Sequence, residues 1–176
     1  KTISNAQIPV VFYNRSLQDQ LVSSVRCDQE EGERWLVDGL VNAGHKSFGI
    51  VEGPPDSVVS IERKIGALNK LKELGITDIT TVSGDFGYTT GRECFTRLVE
   101  KHGSAPDAVI AANDVMAIGC IDEAREAHGL DVPGDISIVG FDGVGQARYA
   151  AYDVTTVRQP IQRMTESAVS MLIERI

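Results

Sequence analysis

Ala108-Val-Ile-Ala-Ala-Asn-Asp-Val-Met-Ala-Ile-Gly-Cys-Ile-Asp-Glu-Ala-Arg-Glu-Ala127 holds a strand and the helix that follows it. Ala108–Ala112 is an apolar run of strand length without alternation, the pattern of a strand buried on both faces. Val115–Ala127 carries its apolar residues at helical spacing, and Asp114 is placed to cap the helix start. Moving outward, the same figure recurs. Further strand-like runs occur at Phe48–Val51, Ile79–Val82 and Ile136–Phe141, and the four starts lie 31, 29 and 28 residues apart. Helical segments alternate with them at Trp35–Ala43, Ile61–Leu74 and Gly91–Lys101. Gly44, Gly75, Gly103 and Gly129 follow the last turns, where a left-handed residue closes a helix. Ser60 and the box Thr90-x-x-Glu93 are candidate caps at the starts. Strands and helices alternating at about 30 residues specify an α/β fold, a parallel sheet with helices on both faces.

The flanks follow another rule. Ile8–Tyr13 and Leu21–Cys27 read as two strands joined by the polar segment Asn14–Gln20. Ile161–Ile176 reads as an amphipathic helix, with Ile161, Met164, Ala168, Met171 and Leu172 towards one side. Gly143–Gln159 reads as a loop around a short strand at Val154–Val157. Three regions follow: 1–26, 27–158 and 159–176. The first and last are expected to project towards a lobe that is largely missing, leaving Val10, Val11, Phe12, Ile161 and Met164 without cover.

Composition narrows the function. The 176 residues are 42% hydrophobic and 24% charged, the balance of a globular protein with a sizeable core. A net charge of −8 with no cluster of Lys and Arg argues against nucleic-acid binding by these residues themselves. Cys27, Cys94 and Cys120, three cysteines at wide spacing, form neither a disulfide framework nor a zinc pattern, and reduced cytosolic thiols are the plain reading. No apolar run is long enough for a transmembrane helix.

Ligands of open parallel sheets bind beyond the carboxyl ends of the strands. Here those ends carry Glu52-Gly-Pro-Pro55, then Asp85 and Phe86, then Asn113 and Asp114, then Asp142 and Gly143. Carboxylates and carboxamides exchange hydrogen bonds with hydroxyls, and an aromatic ring covers an apolar sugar face. The set suits a polyhydroxylated ligand. Taken singly, each residue has a plainer role, as a helix cap, a packing ring or, for Arg63, a solvated charge. Enzymatic signals are poor. His45, His102 and His128 all sit beside the glycine that ends a helix, where a histidine favours the negative end of the dipole. No Gly-x-Ser-x-Gly or phosphate-binding loop is present, and the sequence shows no cofactor or metal set.

Longer motifs narrow the fold further. Ala111-Ala-Asn-Asp-Val-Met-Ala-Ile-Gly119, Val132-Pro-Gly-Asp-Ile-Ser-Ile-Val-Gly-Phe-Asp142 and Thr155-Thr-Val-Arg-Gln-Pro160 strongly resemble the lac/galactose repressor family. Gly44-His45, Ser60-x-x-Arg63-x-x-Gly66 and Ile8-Pro-Val-Val-Phe-Tyr-Asn14 agree in order and spacing, so the resemblance covers essentially the whole chain. It implies a bacterial transcription regulator with a two-lobed core like the periplasmic binding proteins, an effector held between the lobes, and a two-fold homodimer in the cytoplasm. Operator DNA would be bound only through a helix-turn-helix headpiece lying, like most of the N-terminal lobe, before Lys1. Matched residue by residue, the effector contacts would fall on Asn14, Arg63, Phe86, Asn113, Asp142 and Gln159. Asn14 stands where a carboxylate is common in the family, and Gly143 replaces a frequent second Asp. The loop Gly143–Tyr152, with Tyr149 and Tyr152, is a candidate for part of the dimer contact.

Two other functions compete with a sugar-responsive regulator. A periplasmic sugar-binding protein of a transporter would share the fold. An α/β enzyme would need a nucleophile–base pair that the sequence does not show.

Overall fold

The computed structural model describes residues 8–14 and 22–175. By its internal contacts the chain divides into two compact units, Gln29–Arg158 and a second made of Lys1–Asp28 with Gln159–Ile176.

The larger unit is a five-stranded, all-parallel sheet. Its strands are β3 (Ser47–Glu52), β4 (Asp78–Ser83), β5 (Ala108–Ala111), β6 (Ser137–Asp142) and β7 (Thr155–Arg158), in the spatial order β4-β3-β5-β6-β7. Four helices cover it: α1 (Gln29–Asn42), α2 (Val58–Glu73), α3 (Tyr88–His102) and α4 (Asp114–Glu126). Successive residues along a strand serve opposite faces. Val51, Val82, Val109, Ala111 and Ile138 join Cys94, Phe95, Leu98, Met116 and Ile121 of α3 and α4 in one apolar cluster. The alternate residues Phe48, Ile50, Ile110, Val139 and Phe141 are equally buried, as are Leu36, Val37, Leu40, Ala67 and Leu71 of α1 and α2. The central strands β3, β5 and β6 are dry on both faces, so they read as apolar runs. The helices pair closely because glycine stands where they meet: a Cβ on Gly66 would lie 2.5 Å from the Glu30 carbonyl oxygen, and one on Gly119 2.3 Å from that of Tyr88.

The helix ends hold as expected, with φ of 99°, 74°, 91° and 64° at Gly44, Gly75, Gly103 and Gly129. The helix starts differ. The cap of α2 is Ser57, whose hydroxyl accepts the Ser60 N–H, so Ser60 itself lies inside the helix. α3 begins at Tyr88 behind Gly87, not at a Thr90 capping box. α4 is capped by Asn113 rather than Asp114, its side chain accepting the Met116 N–H at 2.8 Å. α1 starts at Gln29, six residues before the expected Trp35.

In the smaller unit, β1 (Val11–Tyr13) and β2 (Ser23–Val25) pair in parallel, and both meet α5 (Ile161–Ile173). Arg175 donates to the Val10 carbonyl at 3.4 Å and to the Ser23 hydroxyl. Met164, expected to lack cover, is 4% exposed, whereas Ile8, Ile161 and Ile173 stand open. Most of the polar segment expected between the strands lies outside the described residues.

Candidate functional site

Chain order reverses direction between β3 and β5: β4 is added on one side of β3, and β5, β6 and β7 on the other. Such a switch point leaves a crevice at the carboxyl ends of the two strands, because the following helices depart to opposite faces. A cavity of about 10 Å³ sits there, lined by Ile50, Val51 and Glu52 of β3, Ile110 of β5, Ala112, and side chains of α1 and α2.

Arg63 occupies the crevice. Ser60, Arg63 and Gly66 fall three residues apart on the inward stripe of α2. Without a Cβ at Gly66, α1 approaches closely enough for Arg63 to span from α2 to the sheet. Its Nε donates to Gln29 Oε1 at 2.8 Å, one terminal nitrogen to the Ala112 carbonyl at 2.5 Å, and the other to Asp142 Oδ1 at 2.7 Å. The guanidinium carbon lies 3.9 Å from the centre of the Phe141 ring, a cation–π distance. At 3% exposure the charge is buried, and these partners replace its water.

Asp142 ends β6 with φ of 112°, a left-handed value that L residues rarely adopt. Its side chain keeps 28% exposure while bound to Arg63, so the pair joins a buried cation to a carboxylate at the surface. Gly143 follows at φ 72°, and a Cβ there would lie 2.7 Å from Arg158 Cγ. The glycine at this place therefore has a steric reason.

Phe86 also has positive φ, 72°, and its ring packs over Gly53 so closely that a Cβ would lie 2.3 Å from it. Asn113 caps α4 with its oxygen and donates through Nδ2 to the Phe86 carbonyl at 3.1 Å. It thus ties the ends of β4 and β5 together. Asp114 is fully buried; its two oxygens accept from Thr156 Oγ1 at 2.5 Å and from the Val144 N–H at 2.8 Å. Burial raises its carboxyl above the usual range, against those hydrogen bonds. It holds the loop after β6 and so fixes where Asp142 points.

The structure thus brings Arg63 to Asp142 and Phe86 to Asn113, all in the larger unit. Asn14 and Gln159 belong to the other unit. Asn14 follows β1 with φ of 50° and donates its N–H to Val25 O at 2.8 Å, and Gln159 is 8% exposed. Two polar residues at the crevice were not anticipated: Gln29, which holds Arg63, and Glu33, one turn further along α1. Both are 1% exposed. Their sequence signal is faint but present. Gln29, Glu33, Leu36, Val37 and Leu40 form one helical stripe, with polar residues in two inward positions. Burial lifts the Glu33 carboxyl from 4.5 to about 8, opposed by Arg63 and assisted by Asp142.

Two of the three histidines have structural partners. His102 bridges the Ser104 carbonyl and Asp78, and the His128 ring meets Phe95 edge-on at 5.3 Å. No helix among the described residues is long and apolar enough to cross a membrane.

Comparison with known proteins extends these findings. The model of the periplasmic binding protein-like domain matches residues 37–176. The probable HTH-type transcriptional repressor ExuR of Bacillus subtilis is 31% identical over 99% of this chain and 52% of its own length. A LacI transcriptional regulator from a Rhodococcus species superposes with a TM-score of 0.89 at 32% identity, covering 96% of this chain and 63% of that one. A sugar-binding transcriptional regulator of the LacI family from Escherichia coli, solved with phosphate, gives 0.86 at 31% identity over 99% of this chain and 63% of that one. The chain spans about half the length of the curated relatives it matches.

Proposed function

The chain belongs to the periplasmic binding protein-like domain family, in the form carried by LacI-family regulators, and from that premise we propose that it is the effector-binding region of a sugar-responsive transcription regulator. The observation that carries this reading is the buried Arg63, fixed by Gln29 and Ala112 at the sheet's switch point and presenting Asp142 at the surface. A preorganised carboxylate–guanidinium pair offers both acceptors and donors to the hydroxyls of a polyol without a further ordering cost. Phe86 supplies a ring and Asn113 holds it. Asn14 and Gln159 complete the contact set on the strength of the resemblance. A two-fold homodimer, a cytoplasmic setting, the absence of catalysis, and operator binding through a separate headpiece belong to the same proposal. The relatives named above are described as a repressor and as transcriptional regulators, not as transport proteins.

The test is a thermal-shift screen of sugars, sugar phosphates and nucleosides, since a ligand that binds only the folded chain raises its apparent stability. A hit is then measured by calorimetry against Asp142→Ala. Losing a hydrogen bond to a charged group costs about 1.5–3 kcal/mol, or roughly a 10- to 150-fold weaker Kd. An affinity unchanged by the substitution would remove Asp142 from the site.

A further inference from the structure

Glu33 is the one buried side chain among the described residues whose oxygens both lack a hydrogen-bond partner. It lines the cavity shared with Arg63, and it is not needed for the bonds that hold the guanidinium to Gln29, Ala112 and Asp142. We propose that Glu33 is a proton-linked positioning residue for Arg63: with its proton it leaves the guanidinium on Asp142, and once ionised it draws the guanidinium away from Asp142. The functional weight of this device rests on reading Arg63 and Asp142 as the effector contact.

The charges around the cavity decide the direction. From α2, Arg63 and Lys64 face it; from β3, Glu52; from β6, Asp142 stands behind Arg63; β5 contributes only Ile110, with Ala112 beyond it. On α1 itself Gln29 is neutral, Arg34 is held by Glu31 and by Glu73 of α2, and Asp38 holds Lys70 of α2. Lys64 is bonded to Glu52 at 3.0 Å and is 40% exposed. Arg63 is therefore the buried cation within reach. A guanidinium carries five N–H donors, and three are used in the bonds named above. An ionised carboxylate away from water gains more from such a partner than does Asp142, which retains solvent. Glu33 and Asp142 then compete for one cation, and a proton on Glu33 ends the competition.

The experiment needs no effector, so its failure is separate from failure of the proposed function. The full 176-residue chain, with ¹³C-labelled glutamate and ¹⁵N-labelled arginine, is titrated by NMR from pH 5 to 9.5. The expected result is one glutamate Cδ resonance that titrates near 8, and an Arg63 Nε–H resonance, recognised by slow solvent exchange, that moves with the same midpoint. In Glu33→Gln both transitions disappear while the Arg63 signal stays at its low-pH position. A glutamate titrating near 8 beside a stationary Arg63 signal would overturn the proposal, leaving Glu33 a buried acid without control. Glutamates that all titrate in the ordinary range would overturn it as well. The wild-type titration decides the matter even if the variant does not fold.

Discussion

Replacing Glu33 by Gln should flatten the dependence of stability on pH. In the folded chain the carboxyl is lifted from 4.5 to about 8 by burial. Between these values the native state holds a proton that the unfolded chain has released. Stability therefore falls as the pH rises through this window and levels off above about 8. Each unit is worth about 1.4 kcal/mol, so raising the pH from 5 to 7 should cost the wild type about 3 kcal/mol through this group alone. Gln has nearly the same shape and no proton to lose, and its polar burial resembles that of the neutral acid. The two chains should thus be of similar stability near pH 5, with the variant ahead by about 3 kcal/mol at pH 7. For a chain of this size that is roughly 6–12 °C in Tm. Urea unfolding at a series of pH values measures the difference, followed by far-UV circular dichroism and by Trp35, the single tryptophan, two residues from Glu33 on α1. Taking the difference cancels the titrating groups that do not couple to Glu33. Parallel curves for the two chains would refute the reasoning, because they would mean that Glu33 ionises folded as it does unfolded.

Gly66→Ala should cost about 1–3 kcal/mol, because its Cβ would press on the Glu30 backbone rather than on a side chain that can turn away; chemical denaturation measures this, and an unchanged midpoint would mean that α1 and α2 sit further apart. The 176 residues alone, at net −8, should give no salt-sensitive gel shift with duplex DNA; a retarded band that fades with salt would contradict this. Sedimentation at micromolar concentration should show a dimer, and Tyr149→Glu, at a residue 59% exposed in the loop after β6, should shift it towards monomer; a wild-type monomer would refute the assembly, and an unaltered dimer would place the contact elsewhere.

The sheet was legible because both of its faces are covered. Ala108–Ala111 is fully buried, so nothing polar interrupts the run, and the same holds through the middle of β3 and β6. The glycines at the helix ends were legible for a local reason, since each takes a backbone angle that other residues avoid. The helix starts were misplaced for a reason that bears on function. In a parallel sheet each helix begins above the strand ends, before it lies down on the sheet, so its first turn meets the crevice instead of the core. Apolar rhythm begins only where the helix reaches the sheet. A start read from that rhythm comes late, at Trp35 instead of Gln29 and at Ile61 instead of Val58. The residues skipped in α1 include Gln29 and Glu33, which meet Arg63 and its cavity. Arg63 itself was legible only through the family resemblance that Ser60-x-x-Arg63-x-x-Gly66 helps to carry, since nothing in composition separates a buried arginine from a solvated one. Charge does not reveal burial; a stripe does. Where a helical stripe that should be apolar carries Gln, Glu, Ser or Arg, the chain has accepted a desolvation cost, and the groups that offset it must converge from other elements. Here they converge on the carboxyl ends of β3, β5 and β6, the place proposed above for a ligand's hydroxyls.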